Sequence, residues 1–413
     1  MSEAAKHYDI TIIGGGLVGA TLAAMLADSP LKIAIIDPMD VVQSLAKDQT
    51  SATGFDLRVS AITRASQHIF EAIGVWQSIV NQRVSPFRKM HVWEQPEKSE
   101  IHFDSAELSE AQLGYIIENR VMQRALYEKL QAANNIELFM KTTCQHMELV
   151  DSQWQLDLAD DKISTDLLVG ADGSRSWVRQ QLGITTRGWD YDHTALVTSV
   201  KTEKSHDETA WQRFFPTGPL AFLPLTEGYS SIVWSTQPEE AQRLKDLPEA
   251  EFKQELEAAY ESRLGSILEI GQRACFPLRF FMAEKYIADS VALIGDAAHT
   301  MHPLAGQGVN LGLLDAASLG QIIQQAMADR HAINSHKVLR KYERWRKAEN
   351  MNMLVMVDQI QRLFAMDQEW LRWMRNTGMN LFNRLNPIKH TSIDFAMGLH
   401  GDLPDIARNP QSV

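Results

Sequence analysis

The sequence predicts an α/β fold, in which an antiparallel sheet interrupts a parallel-sheet domain and a helical region follows at the C-terminus. Three observations predict it. Strand-like apolar runs end abruptly in glycine at Gly14, Gly170 and Gly295, and helical patterns follow, the alternation that builds a parallel sheet. Between 185 and 275 the apolar runs shorten to strand length, with Pro and Gly between them, which suits antiparallel pairing. Beyond 336 apolar residues return at roughly helical spacing.

The first strand runs from Tyr8 to Ile13, and Gly14-Gly15-Gly16-Leu17-Val18-Gly19 follows at once. Val18 to Leu26 reads as a helix, and Lys32 to Ile36 as a second strand ending at Asp37. This is G-x-G-x-x-G inside a strand–turn–helix–strand unit, with an acid 23 positions after the first glycine. Gly14, Gly16 and Gly19 permit a tight turn, so that the backbone around Leu17 and Val18 approaches a pyrophosphate at the helix start. Asp37 either accepts hydrogen bonds from an adenosine ribose or caps the strand end.

The stretch from Ser51 to Arg64 then carries Arg58 into a loop-to-helix passage. Leu113 to Leu130 reads as a short strand and an amphipathic helix beginning near Asn119. Arg120 falls in its first turn, where a cation opposes the helix dipole; it serves either a ligand or an ion pair with Glu118 or Glu128. A buried-strand signature ends at Gly170-Ala171-Asp172-Gly173, a turn signal whose interest lies in its company with the glycines at 14 and 295. Four short strands are expected from Thr194 to Thr202, Trp211 to Pro216, Leu220 to Leu225 and Ser230 to Ser235. A last buried run, Val291 to Ile294, meets Gly295-Asp296, a Pro303-bounded loop, and a helix from Val309 to Met327. An Asp after a strand and a Gly-rich helix start make a polar shelf beside a bound ligand.

Composition bounds the function. At 413 residues the chain suggests two domains plus an extension. A net charge of −12 argues against nucleic acid as a general partner. Cys144 and Cys275 form no C-x-x-C pair, so no metal site and no disulfide framework is expected. No apolar run approaches the ~18 residues of a spanning helix, which places the protein in the cytoplasm or on a membrane surface.

These residues resemble a family. Gly14–Gly19, Gly170-Ala171-Asp172-Gly173 and Gly295-Asp296, in that order, are similar to the single-component FAD-dependent aromatic hydroxylases. Within that group, Arg58-Val59-Ser60-Ala61-Ile62, Glu118-Asn119-Arg120, Ala221-Phe222-Leu223-Pro224-Leu225 and the block from Gly295 to Asn310 resemble the ubiquinone-biosynthesis hydroxylases, over nearly the whole chain. Trp189-Asp190-Tyr191-Asp192-His193, Ser231-Ile232-Val233-Trp234-Ser235 and Pro238-Glu239-Glu240-Ala241-Gln242-Arg243 incline the resemblance toward the branch that hydroxylates 2-octaprenylphenol.

The resemblance implies a Rossmann-like FAD-binding domain (1–75, 100–185 and 275–335), an inserted antiparallel-sheet substrate domain (76–99 and 186–274) and a C-terminal helical region (336–413), the aromatic hydroxylase type. It implies a monooxygenase whose flavin is reduced by NAD(P)H, reacts with O2 as a C4a-hydroperoxide and hydroxylates a polyprenylphenol, with C5-type regiochemistry. Other ring positions, a prenyl reductase and a flavin-retaining scaffold stay open. Cofactor contacts fall to Gly14, Gly16, Leu17, Val18, Gly19, Asp37, Arg58, Arg120, Asp172, Gly295, Asp296, Pro303, Gly306, Gly308, Val309 and Asn310. Asp296 would hold the ribityl chain, and the helix from Gly308 would aim its N–H groups at the flavin's pyrimidine edge. Gly306 and Gly308 leave the ring face clear, and Pro303 fixes the loop.

No general base stands out. His299 and Pro303 are weak catalytic candidates, and for His299 and His302 packing is the better reading. Tyr115, Phe214 and Trp234 either line the substrate wall or, more simply, fill the core. From Arg340 to His390 ten Lys/Arg face five Asp/Glu, among six methionines. That region either caps the nucleotide domain or docks on lipid at the inner face of the cytoplasmic membrane, or on other ubiquinone-biosynthesis proteins. A homo-oligomer is equally compatible.

Overall fold

The computed structural model describes residues 6–46, 53–94, 99–108, 110–159, 161–300, 308–365 and 397–408. Its first sheet is parallel at the centre. The strand Lys6–Ile13 lies between Ile33–Asp37 and Lys162–Gly170, with Ile136–Met140 beyond the former and Val291–Leu293 beyond the latter. In the central strands Ile10, Ile12, Ile33, Ile35, Leu167 and Leu168 are fully buried, as expected of strands covered on both faces, while the edge strand Ile136–Met140 is half-buried. An antiparallel hairpin, Cys144–Val150 with Gln153–Leu158, extends the edge of Lys162–Gly170.

Register brings the three glycine junctions together. Ile13 pairs with Gly170, and Gly170 with Leu293. The chain crosses between them through Ala171 N–H to Ile13 O (2.8 Å) and Ile294 N–H to Gly170 O (3.0 Å). All three loops therefore leave from neighbouring carboxyl ends of parallel strands, where open α/β sheets form their ligand crevice.

The helices Leu17–Met25 and Gly308–Ala328 pack against each other above this crevice. Their close approach needs glycine: a Cβ at Gly312 would lie 2.6 Å from Val18 Cγ2, and one at Gly320 would lie 2.3 Å from Met25 Sδ.

The second sheet has nine strands and is mostly antiparallel, built around the long strand Thr186–Thr202. It contains Thr209–Phe215, Gly218–Pro224 and Tyr229–Thr236, close to the expected bounds. It also takes in Ser99–Asp104 and Ala274–Ala283, strands that the expected boundaries at 100 and 275 assign to the cofactor unit. Ala274–Ala283 pairs over its whole length with residues 186–197 of Thr186–Thr202. A small three-stranded sheet of Val59–Thr63, Gly114–Glu118 and Ser85–Phe87 bridges the two large ones.

Alternation gives the nine-stranded sheet two distinct faces. Leu220 and Phe222 pack with Trp234, Phe252 and Leu256 under the helices Pro238–Asp246 and Glu249–Ala259. The other face, with Leu223, Ala210 and Tyr229, meets Phe55, Val59 and Ala61 from the cofactor side. Past the core, Gly308–Ala328 is flanked by the helix His336–Ala365. The remainder of the basic, methionine-rich stretch lies outside the described residues.

Candidate cofactor site

The fingerprint turn is built by Gly14 at φ +109°, which no side chain tolerates well, and a Cβ there would meet Ala171 O at 2.3 Å. Gly14 N–H donates to Ile36 O (2.8 Å). Asp37 holds the next residue: its Oδ2 accepts from Gly15 N–H at 2.7 Å and its Oδ1 from Met39 N–H at 2.8 Å. A carboxylate has about four acceptor positions, so a loop-holding Asp37 retains capacity for a ribose. From below, Tyr127 Oη–H and Gln123 Nε2–H donate to Gly15 O at 2.9 and 3.3 Å. The sequence reading missed both, although each is on the helix it located, Asn119–Ala132.

The residues present fit a dinucleotide. No side chain caps the helix Leu17–Met25 and no acid occupies its first turn, which leaves its positive end available to a pyrophosphate. A Cβ at Gly16 would meet nothing within 4 Å, and the same holds at Gly308, the start of the long helix. Both helix starts thus open onto space.

Asp296 lies in the short 3-10 turn Gly295–Ala297. Its side chain is exposed because it faces the open crevice, yet protein surrounds it closely. Burial pushes its carboxyl up, while His299 and Arg58 draw it down. Arg58, exposed just before Val59–Thr63, is thus near enough for its charge to act on Asp296.

Asn310, in the first turn of the long helix, is buried and ties that helix to the same strand: its Nδ2 donates to Ala61 O at 2.8 Å and its Oδ1 accepts from Thr63 N–H at 3.1 Å. Val18 touches the Gly295 and Gly312 positions, and a Cβ at Gly19 would meet Gly14 O at 2.1 Å. Pro303 and Gly306, with His302, lie outside the described residues.

Two positions involve protein contacts that the sequence did not show. Asp172 Oδ2 accepts from Trp177 N–H (2.6 Å) and Val178 N–H (3.1 Å), the first two N–H groups of the helix Trp177–Gln181, whose N-cap is Ser176. Burial pushes its carboxyl up, against these hydrogen bonds and one to Ser176. Arg120 is half-buried at the start of its helix, but Glu118 is taken by Arg83, whose Nε and Nη2 donate to Glu118 Oε2 and Oε1 at 2.7 and 2.9 Å.

The group least visible in the sequence lies beneath Gly295. Asp315 is fully buried in the long helix. It accepts from Gly295 N–H (3.0 Å), Arg346 Nε (2.9 Å) and Asn350 Nδ2 (3.1 Å), and its Oδ2 lies 2.5 Å from His299 Nε2. Burial pushes the Asp315 carboxyl up; His299 and Arg346 outweigh that and take it down to about 2. His299 is 2% exposed, stacks on Tyr286 and anchors the loop.

Of the aromatic wall candidates, Phe214 joins the main core on the cofactor side. Trp234 packs on the opposite face, because alternation turns it away. Tyr115 stands edge-on to Trp76 at 5.0 Å and accepts from Gln112 Nε2. On the cofactor-facing side the register aligns Ala221, Val233 and Val197, a wall of small apolar residues.

A glycine turn with an acid-held loop, a second polar shelf at Gly295-Asp296 and one antiparallel wall define a single-dinucleotide flavoprotein of the hydroxylase type. The comparisons agree. Residues 7–355 match the family described as FAD binding domain. The chain is 36% identical over 392 residues to the 3-demethoxyubiquinol 3-hydroxylase of Escherichia coli (strain K12), covering 95% of this chain and 98% of that protein. It is 32% identical to the human ubiquinone biosynthesis monooxygenase COQ6, mitochondrial, covering 94% and 92%. Among solved structures, p-nitrophenol 4-monooxygenase PnpA from Pseudomonas putida DLL-E4 has a TM-score of 0.76 at 18% identity, covering 95% and 98%, a likeness of fold. The chain belongs to the FAD-binding-domain family and, within it, to the ubiquinone-biosynthesis hydroxylases; it is an FAD-dependent monooxygenase.

Proposed function

We propose that the protein hydroxylates the aromatic ring of a polyprenylphenol on the route to ubiquinone, using NAD(P)H and O2, with C5-type regiochemistry. The observation that carries this reading is the near-full-length similarity to a 3-demethoxyubiquinol 3-hydroxylase and to ubiquinone biosynthesis monooxygenases. The bound flavin supplies the activation of O2. The protein's own residues do the rest. Gly14, Gly16, Leu17, Val18 and Gly19 present backbone to the pyrophosphate, and Asp37 faces the ribose. Asp296 holds the ribityl chain, with Arg58 opposite it. Gly308, Val309 and Asn310 set the helix end toward the pyrimidine edge, where its partial positive charge favours an anion. Asp172 holds the loop after Gly170 through the N–H groups of Trp177 and Val178.

The row Ala221, Val233 and Val197 keeps water from the reacting ring and leaves room for a flat phenol. This division of labour follows the proposed cofactor and substrate units, with the strands 99–104 and 274–283 counted in the latter. Among the described residues no helix is long and apolar enough to cross a membrane. A prenylated substrate then favours peripheral contact through the basic C-terminal region.

A second ring position has one specific observation in its favour: the 36%-identical relative is named for 3-demethoxyubiquinol. Deleting the gene in its host and identifying the accumulated precursor by mass spectrometry separates the two. A precursor lacking the first ring hydroxyl supports the C5 reading. A demethoxy-quinol supports the second, and unchanged ubiquinone rejects both.

A further inference from the structure

On the face of the nine-stranded sheet turned away from the cofactor, two strands bring metal-ligand types together. His91 on Lys89–Glu94 stands directly opposite His102 on Ser99–Asp104. Glu100, two residues before His102, shares its face by strand alternation. Glu100 Oε2 lies 3.0 Å from His91 Nε2 and 3.4 Å from His102 Nε2, the imidazole centroids are 4.0 Å apart, and the three donor atoms are mutually within 4.8 Å.

Zinc bonds of about 2.0–2.2 Å in a tetrahedral shell put neighbouring ligand atoms roughly 3.3–3.6 Å apart, close to the two short separations here. We infer that His91, Glu100 and His102 form a site for one divalent transition-metal ion of the zinc type, with an open fourth position toward solvent on the exposed side of His102.

The surroundings suit such a site. Arg263 Nη2 donates to the other carboxylate oxygen, Glu100 Oε1, at 2.7 Å, the outer bond that orients a ligating carboxylate. Arg263 is itself fixed over the Trp93 ring at 4.3 Å, and Trp211 backs His91 at 4.7 Å. Arg263 Nη1, 3.3 Å from His91 Nε2, gives up that contact when the ion binds and keeps the one to Glu100. The ion would clamp the last two strands of the sheet, whose other face packs Met90 and Phe103 against the cofactor side.

The test is calorimetric titration of FAD-loaded protein with Zn2+, with the metal content after dialysis read by mass spectrometry. Wild type binds one equivalent. His102→Ala, at a side chain 57% exposed, weakens that binding by at least roughly tenfold and keeps flavin content and circular dichroism unchanged. Glu100→Gln, a second variant, weakens it too. The other convergent group, His7, Asp9 and Asp166, is the internal control, and His7→Ala leaves the isotherm intact. Wild-type affinity in His102→Ala, an isotherm abolished by His7→Ala, or no uptake by wild type overturns the assignment.

Discussion

Asp315→Asn is the most informative single perturbation, because it keeps the shape of the residue under the flavin shelf and removes only its charge. Asp315 is completely buried, and its partners Arg346 and His299 are 1% and 2% exposed. Removing one member of a buried pair leaves the other charge without compensation, at a cost of roughly 3–5 kcal/mol. The amide oxygen still accepts from Gly295 N–H, which points to the lower end, about 3 kcal/mol. Proton linkage, which reflects the same His299 and Arg346 contacts, gives a figure of the same order. The carboxyl falls from 3.8 to about 2 on folding, which at about 1.4 kcal/mol per unit is roughly 2–3 kcal/mol.

The folded value is depressed, so this contribution is complete above about 3.8 and is lost as the pH falls toward about 2. Urea unfolding of the FAD-loaded protein, followed by tryptophan fluorescence, should show the variant destabilised by about 3 kcal/mol near neutral pH. The gap to wild type should narrow as the pH drops below 3.8. Equal midpoints near neutrality, or a gap that widens on acidification, would refute the reasoning.

Three further perturbations follow. Gly312→Val places its branch against Val18, where even a Cβ lies at 2.6 Å; overpacking there should cost about 1–3 kcal/mol and weaken FAD retention, read by flavin release on dilution. Asp172→Ala leaves the first two N–H groups of Trp177–Gln181 without their acceptor and should lower stability by about 1 kcal/mol; a thermal midpoint identical to wild type would contradict that role. Asp296→Ala should leave the urea midpoint nearly unchanged, because the side chain faces the crevice, while FAD affinity measured by fluorescence quenching falls by more than about tenfold.

Local pattern explains what the sequence made legible. The strand to Ile13, the glycine turn, Asp37 and the helices at Asn119 and Gly308 all declare themselves within one window of periodicity. The convergence of Gly14, Gly170 and Gly295 was readable because all three end buried strands. What stayed hidden depends on pairing between distant segments. Asp315, Arg346 and Asn350 meet only because two helices pack, and a lone Asp amid the apolar run Leu311–Leu319 was the one signal available. Nothing local distinguishes Ser99–Asp104 or Ala274–Ala283 as members of the antiparallel sheet, since hydrogen-bond partners assign a strand to its sheet. Asp172 and Glu118 illustrate the same limit: their residue types were noted, and only geometry gave one the N–H groups of Trp177 and Val178 and the other Arg83.

The most direct test of the central claim is a single turnover with isotopically labelled dioxygen. FAD-loaded protein, NAD(P)H and a polyprenylphenol in detergent are mixed, and the quinol product is weighed by mass spectrometry. The account predicts one labelled oxygen atom on the ring and none in the Asp296→Ala variant without added flavin. A product whose new oxygen comes from water, or oxidation of NAD(P)H with no ring product from any polyprenylphenol, would contradict it.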